Sequence, residues 1–120
     1  MTKKKVSSQL KKARALINKG WCKGALRVDN HKGSYNYCSI GALLEVTKIE
    51  GFHWGANTPR DEDIYWPARQ YLYTALELIQ PSHVRSATLE GYNDHRKTTK
   101  RDILDLYDVA IKLAQKDEVK

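Results

Sequence analysis

The side chains of this chain best suited to covalent chemistry are its two cysteines, Cys22 and Cys38. Each sits in a short motif beside a glycine: Gly20-Trp21-Cys22-Lys23-Gly24, and Cys38-Ser39-Ile40-Gly41-Ala42-Leu43-Leu44. A helix that starts at Ser39 puts Cys38 at its N-terminus. Free backbone amides and the helix dipole there stabilise a thiolate and lower the thiol pKa. A nucleophilic cysteine also needs a base, most often histidine. The chain has four, His31, His53, His83 and His95, and none lies in a local sequence that singles it out. The competing reading makes Cys38 a small apolar residue of the core. Cys22 follows Trp21, an indole that either plugs the core at a helix end or offers a platform for a ring. A metal site would draw on Cys22, His31, Cys38 and His53, which are separated by 8, 6 and 14 residues. Structural zinc sites pair their ligands more closely, so neither metal nor cofactor is expected. A disulfide between the two cysteines needs Cα atoms within about 7 Å. Free thiols are the expectation for a cytoplasmic chain.

The third motif is Gly91-Tyr92-Asn93-Asp94, followed after His95 by Arg96-Lys97-Thr98-Thr99-Lys100-Arg101. Asn93 and Asp94 can hold a loop through an Asx turn. The functional alternative has them hydrogen-bonding the polar edge of a ligand while Arg96 and Lys97 neutralise an anion. Thr98, Thr99 and the first amides of the last helix then cradle a phosphate. This is not a P-loop, because no Gly-rich run ending in Gly-Lys-Thr is present. The ligand-binding candidates are therefore Trp21, Cys22, Tyr92, Asn93, Asp94, Arg96, Lys97, Thr98 and Thr99, and Cys38 is the catalytic candidate. Tyr35, Tyr37, Trp54, Tyr65, Trp66 and Tyr92 fall outside the apolar stripes. Such aromatics suit base stacking or a protein interface.

Charge favours an anionic partner. Lys and Arg number 21 against 14 Asp and Glu, for a net +7. The excess is local, at Lys3-Lys4-Lys5, Lys11-Lys12-Ala13-Arg14 and the 96–101 segment. Basic clusters fit a nucleotide or nucleic acid, although the last helix interleaves acidic residues with basic ones. The hydrophobic fraction is 41%, too high for a disordered chain and enough for one modest core. No apolar run is long enough to span a membrane. No apolar stretch of roughly 7–15 residues follows Met1–Lys5, so no secretory signal is expected and the cytoplasm is the default address.

The elements that must position these residues are mostly helical. The 120 residues fit one domain, with 1–6 as a loose basic tail. Ser7 or Ser8 is expected to cap a first helix over 8–19, with Leu10, Ala13, Leu16 and Ile17 at helical spacing and Gly20 as a left-handed stop. Leu26 and Val28, then Tyr35 and Tyr37, alternate around an Asn30-His31-Lys32-Gly33 turn and predict a small β-hairpin. Ser39 is expected to cap a second helix through Val46 or Lys48, with Ile40, Leu43, Leu44 and Thr47 inward. Gly41 in its first turn costs about 1 kcal/mol relative to alanine, so it suits close approach of a backbone or a ligand. Residues 49–62 read as an aromatic loop. Asp61, Glu62, Asp63 and Pro67 mark the start of a third helix that runs to Ile79, with Ala68, Leu72, Ala75, Leu76 and Ile79 inward. Residues 81–98 read as a loop with a helical turn near 82–87. Thr98 or Thr99 starts the last helix, and Thr99-Lys100-Arg101-Asp102 resembles a capping box. Its stripe of Ile103, Leu104, Tyr107, Ala110, Ile111 and Ala114 is widened by Leu106, Val109 and Leu113. A stripe that wide predicts a helix packed on two sides. The expected fold is mainly α, with four helices around the C-terminal one and a small hairpin.

The motifs in this order resemble a family of small uncharacterised proteins of bacteriophages and bacteria, notably actinobacteria. The shared residues are Gly20, Trp21, Cys22 and Gly24; Cys38, Gly41, Ala42, Leu43 and Leu44; Asn93 and Asp94; Thr98 or Thr99; and Ala110, Ile111 and Ala114. Tyr92 stands where the family usually has tryptophan. The resemblance spans the chain apart from 49–62 and implies no activity. It does imply a phage or mobile-element origin, with the host cytoplasm as location and host takeover or anti-defence as a role. The first expectation is thus a binding protein for an anionic nucleotide-like or nucleic-acid ligand. A cysteine-dependent enzyme using Cys38 is the second. The third is an interaction module for a host protein, or a homo-oligomer.

Overall fold

Leu10, Ala13 and Ile17 recur at helical spacing, and all three are fully buried on α1 (Val6–Lys19). This computed structural model describes residues 5–48, 63–79 and 88–119. The helix begins at Val6, earlier than expected, and neither serine caps it. Its N-cap, Lys5, makes no side-chain cap bond. Instead the carboxylate of Glu118 accepts from the Ser7 amide at 3.1 Å and from the Ser7 hydroxyl at 2.6 Å. A carboxylate from the far end of the chain thus meets the positive end of a helix that has no acid in its own first turn.

The hairpin pairs β1 (Arg27–Asp29) with β2 (Tyr35–Tyr37), antiparallel, with Val28 opposite Asn36. Asn30 and Asp29 hold its turn by accepting from the Lys32 and His31 amides, and His31 and Gly33 take positive φ. α2 (Ser39–Thr47) follows without a linker and is buried except at Glu45 and Val46, as an almost wholly apolar helix must largely be. Its cap is the Cys38 side chain, which accepts from the Gly41 amide at 3.2 Å, and not Ser39.

α3 (Tyr65–Ile79) carries Pro67 in its first turn, where no helical hydrogen bond is lost. Ala68, Leu72, Ala75 and Leu76 face the core, whereas Ile79, expected inward, is 36% exposed. Where a loop was expected there is a short fourth helix, α4 (Leu89–Asp94), capped by the Thr88 hydroxyl on the Gly91 amide. The last helix, α5 (Lys100–Glu118), starts in the expected capping box, with Thr99 and Asp102 each accepting from the other's amide. The wide stripe of α5 packs on α1 on one side and α3 on the other. Arg14 to Asp108 and Tyr71 to Asp117 tie those two interfaces. The described residues are thus mainly helical, with five helices and one two-stranded hairpin. The readings of 49–62 and 82–87 lie outside the described residues. Among the described residues no helix is long and apolar enough to cross a membrane.

Candidate functional site

The chain leaves α1 through Gly20 in extended backbone, φ −175°, and not through the left-handed stop expected. A Cβ there would fall 2.1 Å from the Asn36 side-chain oxygen, so a larger residue would have to turn that side chain aside. Trp21 then pairs, parallel, with Tyr37. The Tyr37 amide donates to Gly20 at 3.0 Å, and the Cys22 amide donates to Tyr37 at 3.2 Å. A turn at Gly24, φ 79°, brings the Leu26 carbonyl over the start of α2, where it accepts from the Cys38 amide at 3.0 Å. Gly41 sits beneath it. A Cβ at Gly41 would lie 1.8 Å from the Leu26 oxygen, so the close approach foreseen at this glycine is that of a backbone.

Asn93 joins all three motifs. Its side chain is fully buried, and its oxygen accepts from the Trp21 indole at 2.8 Å and from the Ser39 amide at 3.0 Å. Its amide nitrogen donates to the Cys22 carbonyl at 3.1 Å and to Asp94 at 3.0 Å. The same Asp94 oxygen accepts from the Gly24 amide at 2.9 Å. Segments that begin with Gly20, Cys38 and Gly91 therefore form one hydrogen-bonded unit.

The chain belongs to DUF6197, a family of unknown function.

The family match covers residues 1–113. No curated protein and no solved structure matches the chain.

Within this DUF6197 fold the candidate residues divide by environment. Tyr92, Asn93 and Thr98 are buried, and Thr99 is engaged in capping α5. Trp21 and Cys22 are half-buried. Asp94 is exposed, but its Oδ1 is held by the Gly24 and Asn93 bonds. Arg96 and Lys97 are exposed and make no ion pair with any described residue. Of the aromatics expected outside the stripes, Tyr35 and Trp66 are exposed, whereas Tyr37, Tyr65 and Tyr92 belong to the core. Trp54 lies outside the described residues. Desolvation pushes the Tyr92 hydroxyl up to about 12, so it stays neutral at physiological pH.

The thiols move in the direction opposite to a helix-activated nucleophile. Burial pushes Cys38 up. The amides of Gly41 and Ile40 pull it down, the carboxylates of Asp94 and Glu90 add to burial, and the net shift is upward. Burial also takes Cys22 up to about 11, with further contributions from Cys38 and Asp94. Of the described histidines, His31 stands in the hairpin turn, and His95 Nδ1 accepts from the Lys97 amide. His53 and His83 lie outside the described residues. Near the start of α2, Tyr107 donates to the Ser39 carbonyl at 2.5 Å, and Ser39 Oγ is buried with no hydrogen-bond partner among the described residues. Arg69 bridges Glu90 at 2.8 Å and Tyr65 at 3.4 Å, a tie between α3 and α4 that no motif announces.

Two lysines missing from the candidate list come into play through tertiary contacts. Lys23 donates to the His95 carbonyl at 2.6 Å, with its ammonium 5.2 Å from the Trp21 ring centre. Lys100 donates to the Asn18 carbonyl, at the end of α1, at 2.6 Å. These bonds bring the end of α1, the Trp21 segment and the α4–α5 turn to one surface. The basic residues in or next to the bonded positions are Lys19, Lys23, Arg96, Lys97 and Lys100, of which Lys19, Arg96 and Lys97 are exposed.

Proposed function

We propose that this protein binds an anionic nucleotide-like or nucleic-acid ligand on that basic surface. The observation that carries the reading is the pair of lysine–carbonyl bonds, Lys23 to His95 and Lys100 to Asn18, which gather cations far apart in sequence. Lys19, Arg96 and Lys97 are exposed there and have no carboxylate partner among the described residues. A cluster of that kind attracts phosphates by long-range electrostatics, and binding should weaken with salt. Asn93 and Tyr92 support the surface from beneath; the contacts to ligand fall to Arg96, Lys97 and Lys19. The biological setting we propose with it, a phage or mobile-element product acting in the host cytoplasm, rests on the motif resemblance.

Fluorescence anisotropy with labelled single- and double-stranded oligonucleotides at two salt concentrations tests the reading. Replacing Arg96 and Lys97 together with alanine should lower the slope of log affinity against log salt by about 2. The helical circular dichroism should not change. Unaltered binding with an intact fold would remove this surface, and no binding to any oligonucleotide at low salt would remove the ligand class.

A second reading has one observation in its favour. α3 leaves Trp66, Tyr73 and Leu78 exposed at 40%, 43% and 62%. Exposed aromatics of this kind suit a protein contact, with a host protein or a second copy. Light scattering across a concentration series separates the self-association form, and a constant monomer mass argues against it.

A further inference from the structure

The two cysteines lie in register. Trp21 pairs with Tyr37 in parallel, through Tyr37 to Gly20 and Cys22 to Tyr37 amide–carbonyl bonds. Trp21–Tyr37 is an isolated bridge, and the next residues on the two segments are Cys22 and Cys38, the latter still extended, φ −79° and ψ 175°, as it caps α2. Strand side chains alternate between faces, so these two point to the face opposite Trp21 and Tyr37. The face is fixed independently one step on either side of that pair. On the preceding step, a Cβ at Gly20 would run into the Asn36 side chain, the neighbour expected two residues before Cys22 and Cys38. Cys22 Sγ lies 3.5 Å from the Asn36 carbonyl, so its side chain reaches across β2. Neighbouring strands stand about 4.7–4.9 Å apart, inside the roughly 4.4–6.8 Å Cα separation of disulfides. Both thiols are free.

We propose that Cys22 and Cys38 are a redox pair that closes reversibly into an intramolecular disulfide by exchange with a small-molecule disulfide. This inference is independent of the anion reading. Cys22 is the half-buried member and Cys38 is 6% exposed, which sets the order of events. The Cys22 thiol gives its proton to solvent, and its sulfur attacks the small disulfide. That S–S bond breaks, and one small thiolate leaves and takes up a proton. The Cys38 sulfur, its proton lost to solvent, then attacks the mixed disulfide at Cys22 and displaces the second small thiolate, which is protonated in turn. Two protein thiols are oxidised and one small disulfide is reduced to two thiols. The Cys22 thiol is held mostly protonated by burial, so closure is slow near neutrality and quickens as pH rises. The bond formed ties the segment that carries Lys23 to the start of α2.

Intact-mass spectrometry of the full chain after incubation with oxidised glutathione reads the outcome. Wild type should lose about 2 Da, recover it with dithiothreitol, and give one cross-linked peptide joining Cys22 to Cys38. Cys38→Ser, which keeps an oxygen to cap the Gly41 amide, should instead hold one glutathione on Cys22. A wild-type chain that retains a stable glutathione adduct overturns the proposal. So does one that keeps both thiols at a pH where Cys38→Ser is modified. Absence of reaction in both chains, while both thiols react after unfolding in urea, also overturns it.

Discussion

Gly41→Ala should unfold this protein far more readily than an alanine in a helix normally would. The new Cβ would stand 1.8 Å from the Leu26 oxygen, 2.6 Å from its carbonyl carbon and 3.1 Å from its Cα. All three are backbone atoms, so no rotamer change relieves the clash. Real Cβ atoms keep at least 3.0 Å from such neighbours, and the 25–26 backbone must retreat by about 1.2 Å. The same carbonyl accepts the Cys38 amide at 3.0 Å, and a displacement of that size breaks the bond. Overpacking strain costs about 1–3 kcal/mol. A buried amide left without its partner costs about 1–3 kcal/mol more. Alanine returns about 1 kcal/mol of helix propensity. The net is a loss of about 3 kcal/mol, so strain outweighs propensity. In urea, with a slope of about 2 kcal/mol/M, the midpoint should fall by about 1.5 M. Gly91→Ala is the internal control: its Cβ meets only the tip of the Thr88 side chain, at 3.0 Å, and the change should stay within about 1 kcal/mol. A Gly41→Ala midpoint at or above wild type would show that Leu26 does not press on α2, and the account of that glycine would be withdrawn.

Ser39→Ala separates the two accounts of the α2 cap. If Ser39 capped the helix, the change would cost about 1 kcal/mol; with its hydroxyl buried and unpartnered, it should be neutral or slightly stabilising in the same urea titration. Asn93→Ala removes four hydrogen bonds and leaves the Trp21 indole and the Ser39 amide without an acceptor, so a loss of about 3 kcal/mol and a shift in tryptophan emission are expected. An Asn93→Ala chain with wild-type stability would mean that water replaces the asparagine without cost. Among the described residues, two carboxyls contribute to acid sensitivity. Burial opposes ionisation of Glu90, but the Arg69 guanidinium prevails and holds it below its usual 4.5; hydrogen bonds from Ser7 do the same for Glu118. Their folded values are depressed, so the stability they add is present above the usual carboxylate range and is lost as pH falls through the folded values. Melting temperature should therefore drop below about pH 4.5, and Arg69→Met should flatten that drop; an unchanged acid limb in Arg69→Met would rule out the Glu90 contribution.

Periodicity made the helical frame legible. The stripes of α1, α2 and α5 bury the residues named from the sequence apart from Leu16, Val109 and Leu113, which are partly buried, and the width of the α5 stripe anticipated its place between α1 and α3. The Thr99–Asp102 box was readable because a cap and its partner are three residues apart. What escaped depended on contacts across the chain. Glu118 replaces a local cap on α1, and Cys38 takes the position that composition would assign to Ser39, because serine is the commoner cap. α4 is short and contains Gly, Asn and Asp, so local propensity does not signal it; Thr88 and the Asn93 network hold it. For the site, the three motifs could be picked out but their mutual bonding could not, since Trp21 and Asn93 are 72 residues apart. For Cys38 the core reading fits better than the helix-end one, because helix-end electrostatics is local, whereas the burial that outweighs it comes from the whole core.

The Asn93 junction also fixes when the molecule can be finished during synthesis. The Ser39 amide waits for an acceptor 54 residues further along the chain. At roughly 5–20 residues per second, a ribosome leaves that gap open for about 3–11 s. In that interval α1, the hairpin and α2 have been made, with α2 lacking the α3 and α4 surfaces that later pack on it. The nascent N-terminal half is then a client for a chaperone or a target for a protease, and translation slowed ahead of residue 93 lengthens that exposure.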